Sequence, residues 1–174
     1  MDISHVLLSP KGRIGSRDFL RGLILLTGAS LVVQVLTSSV SIGASVLQYP
    51  LLWGYLCVLG KRLHDAGQTA WLSLIFLLGF VVLSSILDTV LIPLLSPQMV
   101  PLIQQIQEVA KTEGLSGAFN AQQEHMLELS RGLALTTLAS FLISSAALAF
   151  IGARLPSDPK SNSHGPATGS SNAS

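Results

Sequence analysis

The sequence predicts an all-α integral membrane protein that folds as four transmembrane helices in one compact bundle. Charged residues make up only 11% of the chain, hydrophobic residues make up 49%, and the mean hydropathy is +0.58. A soluble domain usually carries roughly 25% charged residues. The charges are also segregated, because residues 22–60 contain none and residues 70–107 contain only Asp88. Such runs exceed the ~18 apolar residues that mark a transmembrane helix.

The first uncharged run is long enough for two helices. Its length exceeds one span, and the polar segment "TSSVSIGAS" at residues 37–45 is suited to a turn. We therefore expect the first helix near residues 19–39 and the second near 45–66. The segment before the first helix carries acidic as well as basic residues, which disfavours a cleaved signal peptide.

Two further helices are predicted in the second half of the chain. The third is expected near residues 70–92, ending before Pro93 and Pro97. The apolar run "LALTTLASFLISSAALAFIG" predicts the fourth near residues 132–153, because it spans about 30 Å as a helix. Residues 1–155 would thus form the transmembrane domain. Asp88 would lie about 25 Å along the third helix from Trp71, and we expect it to anchor the outer interface rather than bind an ion.

The remaining two segments are polar. We expect residues 94–131 to be external and to contain a short amphipathic helix on the membrane surface or against the bundle. The apolar residues that recur there at helical spacing are Met99, Leu102, Ile103, Ile106, Val109 and Ala110. Residues 156–174, "PSDPKSNSHGPATGSSNAS", are rich in Pro, Gly, Ser and Asn, which predicts a disordered tail.

The basic residues predict the orientation. On one side of a four-helix arrangement lie Lys11, Arg13, Arg17, Arg21, Lys61, Arg62, Arg154 and Lys160, and on the other lie Lys111 and Arg131. Because basic residues concentrate on the cytoplasmic side, both termini and the turn at residues 61–69 are predicted to be cytoplasmic.

The turn contains the most polar stretch of the chain, "GKRLHDAGQTAWL" at residues 60–72. Structural roles account for these residues: cations suit the last turn of a helix, Gly67 suits a left-handed C-terminal position, and Trp71 suits the membrane interface. Catalysis would need His64 and Asp65 to cooperate, yet adjacent helical residues point about 100° apart. Asp65 is better placed to pair with Lys61 four residues earlier or with Arg62 three residues earlier.

No catalytic residue, cofactor or metal site is predicted. Cys57 is the only cysteine, which excludes an intrachain disulfide, and His64 lies in a different segment from every other histidine, so metal-ligand spacing is missing. Phosphate-binding loops and catalytic triads are also missing. Few basic residues and no matching motif argue against nucleic-acid binding.

Three segments, "SPKGRIGSRDFLRG", "GKRLHDAGQTAWL" and "PSDPKSNSHGP", resemble in order and spacing a bacterial inner-membrane family catalogued as domain of unknown function 805. The matching residues are Gly12, Arg13, Ile14, Arg17 and Phe19 in the first, Arg62, Leu63, His64, Asp65, Gly67 and Trp71 in the second, and Asn162, Gly165 and Pro166 in the third. The resemblance implies a small multi-pass bundle in the inner membrane. It implies no reaction, because the activity of the family is uncharacterised.

These observations predict a non-enzymatic membrane protein whose cytoplasmic rim contacts anionic lipid headgroups or a membrane-protein partner. The cytoplasmic rim consists of Arg13, Arg17, Arg21, Lys61, Arg62, His64 and Asp65, beside Gly67 and Trp71 in the turn. We expect Arg13 or Arg17 to pair with Asp65. The cations Lys61, Arg62 and Arg21 are expected to face phosphates. The alternatives are a subunit of a small-solute transporter or channel and, third, a membrane-embedded enzyme using His64 and Asp65.

Overall fold

The computed structural model describes residues 2–39 and 42–168, and within them the chain is all-helical. The helices are α1 (Ile3–Leu8), α2 (Ser16–Ser39), α3 (Gln48–Asp65), α4 (Leu72–Leu95), α5 (Val100–Glu124), α6 (Met126–Gly132) and α7 (Ala134–Arg154), with short 3-10 helices at Ile42–Leu47 and Pro97–Met99. The β-type pairing in the described residues is one isolated bridge between Asn162 and Gly165. The all-α prediction is therefore confirmed.

Within residues 2–39 and 42–168, three helices are long and apolar enough to cross a membrane, namely Ser16–Thr37 within α2, all of α4 and all of α7. The sequence predicted four. α3 does not belong to this group because its 18 residues include Lys61, Arg62 and Asp65. It nevertheless packs against both α2 and α4, so it is part of the same bundle.

The observed ends of these four helices lie close to the predicted ones. α2 starts at Ser16 rather than 19, and α3 starts at Gln48 rather than 45. α4 continues through Pro93 to Leu95 instead of ending at 92. A proline in the last turn removes only one N–H from the helix, and the amide of Ser96 closes the end by donating to the carbonyl of Ile92 at 2.9 Å.

The core lies where α2, α3 and α7 meet. Phe19 and Val58 are fully buried there, and Leu23, Leu59 and Leu148 pack around them. The close approach of α7 to α2 depends on Gly152, because a Cβ at this position would overlap the ring of Phe19. Small residues allow helices in a membrane protein to approach in this way.

Side-chain hydrogen bonds also join α4 and the residue that follows it to α7. The pairs are Ser84 with Ser144 at 2.9 Å, Asp88 with Ser140, and Ser96 with Thr136 at 2.9 Å. Ser140 and Ser144 are buried, as expected of small residues at a helix contact. Asp88 is half-buried and accepts a hydrogen bond from the other helix, a role that the prediction of an interfacial anchor did not include.

The segment between α4 and α7 is more helical than predicted. α5 runs over 25 residues, broken at Gly114, whose φ of 72° and ψ of −164° are not helical. Before the break, Leu102, Ile103 and Ile106 are half-buried, so the expected amphipathic spacing does correspond to one side of a helix. After the break, Leu115 is 90% exposed.

The structure also differs from the prediction of a disordered tail at residues 156–174. Residues 156–168 lie against the ends of α2 and α3 and make hydrogen bonds described below. Composition suggested disorder because the tail has little apolar surface to bury. Polar contacts hold it instead. Residues 169–174 lie outside the described residues.

Candidate functional site

One end of the bundle collects most of the residues that the sequence analysis singled out. α2 begins there, and α3 and α7 end there, as three hydrogen bonds between these ends show. The amide of Ile14 donates to the carbonyl of Lys61 at 3.4 Å, which joins the start of α2 to the end of α3. Nε of Arg62 donates to the carbonyl of Gly152 at 3.0 Å, and Oγ of Ser16 donates to the carbonyl of Ala153 at 3.1 Å, which join both to the end of α7. We call this end the motif end. The first and second sequence motifs meet at it.

The centre of the motif end is the carboxylate of Asp65. Its Oδ1 accepts from Arg13 Nε at 3.1 Å and Nη2 at 3.0 Å, and from Thr168 Oγ1 at 2.6 Å. Its Oδ2 accepts from Arg62 Nη1 at 2.6 Å. The side chain of Asp65 is 0% exposed and those of Arg13 and Arg62 are 1% exposed. Of the two arginines of the first motif predicted to pair with Asp65, Arg13 makes the contact, whereas Arg17 is exposed. We call Asp65, Arg13, Arg62 and Thr168 the Asp65 cluster.

Two guanidinium groups and one carboxylate leave a surplus positive charge in the Asp65 cluster. Main-chain carbonyls surround it. Arg62 donates to the carbonyls of Gly152 and Leu155 at the end of α7, where the helix dipole is negative. Arg13 donates to the carbonyls of Asp158 (2.6 Å) and Lys160 (2.7 Å). The buried cations are thus fully hydrogen-bonded, which a buried charge requires.

The tail residues 156–168 complete this arrangement. The amide of Asp158 donates to the carbonyl of Asp65 at 2.7 Å, and Asn162 Nδ2 donates to the carbonyl of His64 at 3.1 Å. The ring of His164 stacks on that of His64, with centroids 3.8 Å apart. The backbone N–H of Lys160 donates to the carboxylate of Asp158 and holds the pKa of Asp158 below its ordinary value.

Lys61 is not at the surface, and the prediction that it faces phosphates is wrong. It is 0% exposed, and its Nζ donates to the carbonyls of His5 and, at 2.7 Å, of Val6. These carbonyls lie in the last turns of α1, where a cation is favoured. The same prediction is wrong for Arg62, because its guanidinium belongs to the buried Asp65 cluster.

His64 and Asp65 do not form an imidazole–carboxylate pair. Nδ1 of His64 lies 3.1 Å from the carbonyl oxygen of Gly12, and its ring faces His164. Both oxygens of Asp65 accept hydrogen bonds from other groups. Within residues 2–39 and 42–168, no group of three or more His, Cys, Asp or Glu side chains is placed to hold a metal ion.

The turn between α3 and α4 has the predicted form. Gly67 has a φ of 71°, and its amide donates to the carbonyl of His64 at 3.1 Å. The amide of Gln68 donates to the carbonyl of Leu63 at 2.8 Å. Together these bonds form the Schellman motif that commonly ends helices. Trp71 is 79% exposed immediately before α4, as expected for a residue at a membrane interface.

Two cations of the predicted cytoplasmic rim do remain exposed. Arg17 and Arg21 lie one turn apart near the start of α2. Arg21 forms only an exposed ion pair with Asp18, at 3.6 Å. Both arginines line an open groove of about 930 Å³, whose other walls include His5 and Thr168. The groove is the basic surface of the motif end.

Sequence reasoning missed the tail residues of the site. Thr168, which donates to Asp65, has no signal in the sequence, because an isolated threonine in a Ser- and Gly-rich segment is ordinary. Asn162 and Gly165 had a weak signal in the third motif of the family resemblance. Their mutual backbone hydrogen bonds, both 3.1 Å, form the turn that brings His164 onto His64.

Comparison of the chain with family models, curated proteins and solved structures gave no match in any of the three. The resemblance to domain of unknown function 805 stays a prediction. The function has to be inferred from the geometry of the site.

Proposed function

We propose that the chain is a non-enzymatic bacterial inner-membrane protein whose basic surface at the motif end contacts anionic lipid headgroups. The observation that carries this proposal is the division of the rim cations into two classes. Arg13, Lys61 and Arg62 are buried and satisfied by internal acceptors, whereas Arg17 and Arg21 are exposed beside an open groove. The buried cations build the end of the bundle, and the exposed pair is available to a ligand.

The physical chemistry of this surface suits a phosphate-bearing headgroup. Two arginines one turn apart can engage neighbouring phosphates with several donors each. They also lie in the first turns of α2, where the helix dipole adds a partial positive charge. Each such cation gains on the order of 1 kcal/mol near an anionic leaflet. A protein partner with an acidic surface is the alternative occupant.

The proposal includes a fourth crossing, by α3, with both termini on the cytoplasmic side. α3 has 18 residues and is therefore about 27 Å long, close to the thickness of the hydrocarbon core. Its charged residues do not count fully against insertion, because Lys61, Arg62 and Asp65 are paired inside the bundle rather than exposed to lipid. Four crossings return the tail to the side of α1, where it contacts Arg13.

Cysteine labelling tests this topology. Single cysteines at Ser116 and Gln68, both exposed positions, are placed in a Cys57→Ala background and treated with a membrane-impermeant reagent. Cys57 is 1% exposed, so its replacement should not change the surface. The two positions flank α4 and should label from opposite sides of the membrane. A further single cysteine at Val46, an exposed position before α3, should label from the same side as Ser116. Labelling of Val46 and Gln68 from the same side would contradict the crossing by α3.

Native mass spectrometry tests the headgroup contact. The double variant Arg17→Gln, Arg21→Gln should lose retained phosphatidylglycerol relative to the unmodified protein, by roughly thirtyfold for two contacts of about 1 kcal/mol each. The matched control is Lys111→Gln, Arg131→Gln, two exposed cations outside the motif end. Equal retention in both double variants would contradict the proposal. Normal lipid retention together with loss of a co-purifying acidic protein would favour the protein partner.

A transporter or channel subunit is the second candidate, and the contact between Asp88 and Ser140 favours it. An acidic side chain held between two apolar helices is typical of ion and proton pathways. If this candidate holds, proteoliposomes should show a proton or cation flux that Asp88→Asn abolishes and Glu108→Gln, at an exposed position of α5, preserves. A flux equal in both variants would remove Asp88 from any pathway.

The third alternative, an enzyme using His64 and Asp65, is favoured less by the geometry. A general base needs a free acceptor within hydrogen-bond reach of the substrate. Asp65 instead accepts from Arg13, Arg62 and Thr168.

A further inference from the structure

The end of the bundle opposite the motif end contains a pocket of about 160 Å³ that is lined mainly by Gln, Ser and Thr residues. Its polar lining consists of Gln34, Thr37, Ser45, Gln48, Ser130 and Thr137. These residues come from α2, α3, α6, α7 and the 3-10 helix before α3. None of the residues that line the pocket is charged. The pocket therefore suits a neutral group that makes hydrogen bonds.

One residue of the pocket lining, Gln34, carries a polar atom that has no hydrogen-bond partner. Its Oε1 is buried and has no hydrogen-bond partner, a property shared in the described residues only with the hydroxyl of Ser145. A buried acceptor without a donor is costly, so a ligand that supplies a donor would be favoured at this position. A hydroxyl group both donates and accepts, and it would satisfy the amide of Gln34 in either of its two orientations.

An apolar groove of about 300 Å³ adjoins the pocket at Gln48. Gln48 lines both. On α2 the lining passes from Gln34 in the pocket to Ser30 in the groove, one turn away. On α7 it passes from Leu138 to Phe141 in the same way. The remaining groove walls are mainly apolar side chains of α3 and α4, such as Leu51, Leu77 and Phe80.

We propose that pocket and groove form one binding site for an amphiphile with an uncharged, hydroxyl-bearing head and a hydrocarbon chain. The volume of the pocket equals that of about five water molecules, enough for a head the size of glycerol. The hydrocarbon chain of the amphiphile would lie in the apolar groove. A phosphate or carboxylate is excluded, because no cation lines the pocket to offset its desolvation.

This site is independent of the proposed contact with anionic headgroups. Gln34 lies 17 residues beyond Arg17 on the same helix, about 26 Å along its axis. The two sites also differ in the charge they select. A charged and an uncharged probe therefore report on them separately.

The test is native mass spectrometry of the full chain with 1-oleoylglycerol, oleate or free glycerol as probe. We expect 1-oleoylglycerol to be retained, and Gln34→Leu and Gln48→Leu each to reduce its retention about tenfold, the loss of one well-placed hydrogen bond. The matched control is Gln105→Leu, at an exposed position of α5, which should retain the probe normally. Retention of glycerol alone with the same sensitivity to Gln34→Leu would support a free polyol as the source of the head.

Stability separates a binding role of Gln34 from a structural one. Without any amphiphile, Gln34→Leu should unfold at the same temperature as the unmodified protein or higher, because it removes an unpaired buried oxygen. With 1-oleoylglycerol present, only the unmodified protein and Gln105→Leu should gain stability. The proposal is overturned if oleate is retained as well as 1-oleoylglycerol, or if Gln34→Leu and Gln48→Leu leave retention unchanged.

Discussion

Replacing Asp65 with alanine removes the only carboxylate from a cluster that contains two buried guanidinium groups. The side chains of Arg13 and Arg62 are 1% exposed, so water cannot replace the lost partner. Removing one partner of a buried ion pair costs roughly 3–5 kcal/mol. Because both arginines keep carbonyl acceptors at Gly152 and Asp158, we expect about 3 kcal/mol for the lost charge. The lost hydrogen bond from a threonine adds about 1 kcal/mol, giving about 4 kcal/mol in all.

Thermal unfolding in a mild detergent measures this loss. For a chain of this size, 1 kcal/mol shifts the midpoint temperature by roughly 2–4 °C, so Asp65→Ala should lower it by about 8–16 °C. Asp65→Asn keeps one acceptor oxygen in place but removes the charge, and its midpoint should fall between those of Asp65→Ala and the unmodified protein. Expression in membranes should fall in the same order.

The matched control is Asp18→Ala. Asp18 forms an ion pair of the same arginine–carboxylate type with Arg21, at 3.6 Å, but its side chain is 41% exposed and that of Arg21 is 65% exposed. Exposed pairs contribute at most about 1 kcal/mol, so the midpoint should move by no more than about 4 °C. If Asp65→Ala and Asp18→Ala shift the midpoint equally, burial does not set the energy of the Asp65 cluster and the reasoning is refuted.

Three further substitutions probe the packing and the tail. Gly152→Ala should cost roughly 1–3 kcal/mol because its Cβ would overlap a buried aromatic ring, whereas Gly28→Ala, where a Cβ meets nothing within 4 Å, should be neutral or stabilising in the same unfolding assay. Gly67→Ala should cost about 1–2 kcal/mol, since φ there is 71°, and an unchanged midpoint would contradict the left-handed turn. Thr168→Val should lower the midpoint by only a few degrees but speed proteolysis and hydrogen exchange at the end of the tail near Thr168, because it removes the bond to the Asp65 carboxylate while the Asp158 amide keeps its bond to the Asp65 carbonyl; unchanged exchange there would mean that this hydrogen bond does not hold the end of the tail.

The sequence could predict the helical class because the signals are local. Uncharged runs report helices directly, and the bounds of α2, α3, α4 and α7 lie near the expected ones. The pairing of Asp65 with an arginine of the first motif was also predictable, since a carboxylate near a membrane is easier to keep charged beside a cation, but the choice of Arg13 over Arg17 was not. Gly67 was predictable for a similar local reason, as its position follows the last turn of a helix.

The ion pair of Arg62 with Asp65 was predictable as one of two pairings one helical turn apart, but the carbonyl contacts of Lys61 and Arg62 were not. These carbonyl acceptors belong to α1 and α7, carry no side-chain signature and lie 55 and 90 residues away in the chain. The ordered conformation of the tail was unpredictable for the same reason. Its contacts with Arg13 use the carbonyls of Asp158 and Lys160, so composition gives no sign of them. Sequence patterns indicate which side chains are buried, but they do not indicate which main-chain carbonyls a cation will contact.

These polar contacts also address a difficulty that every membrane bundle faces. Lipid tails are as apolar as leucine, so hydrophobic burial does not by itself determine which helices pair or in which register. In this chain Asp65, at the end of α3, bonds to Arg13 in the loop before α2 and to Thr168 in the tail after α7. These partners lie 52 and 103 residues from it in the sequence. Farther along the bundle, the bond from Ser140 to Asp88 holds α7 against α4. A chain with only 11% charged residues thus uses several of them inside the fold, where they specify the arrangement of its helices, while Arg17 and Arg21 stay exposed.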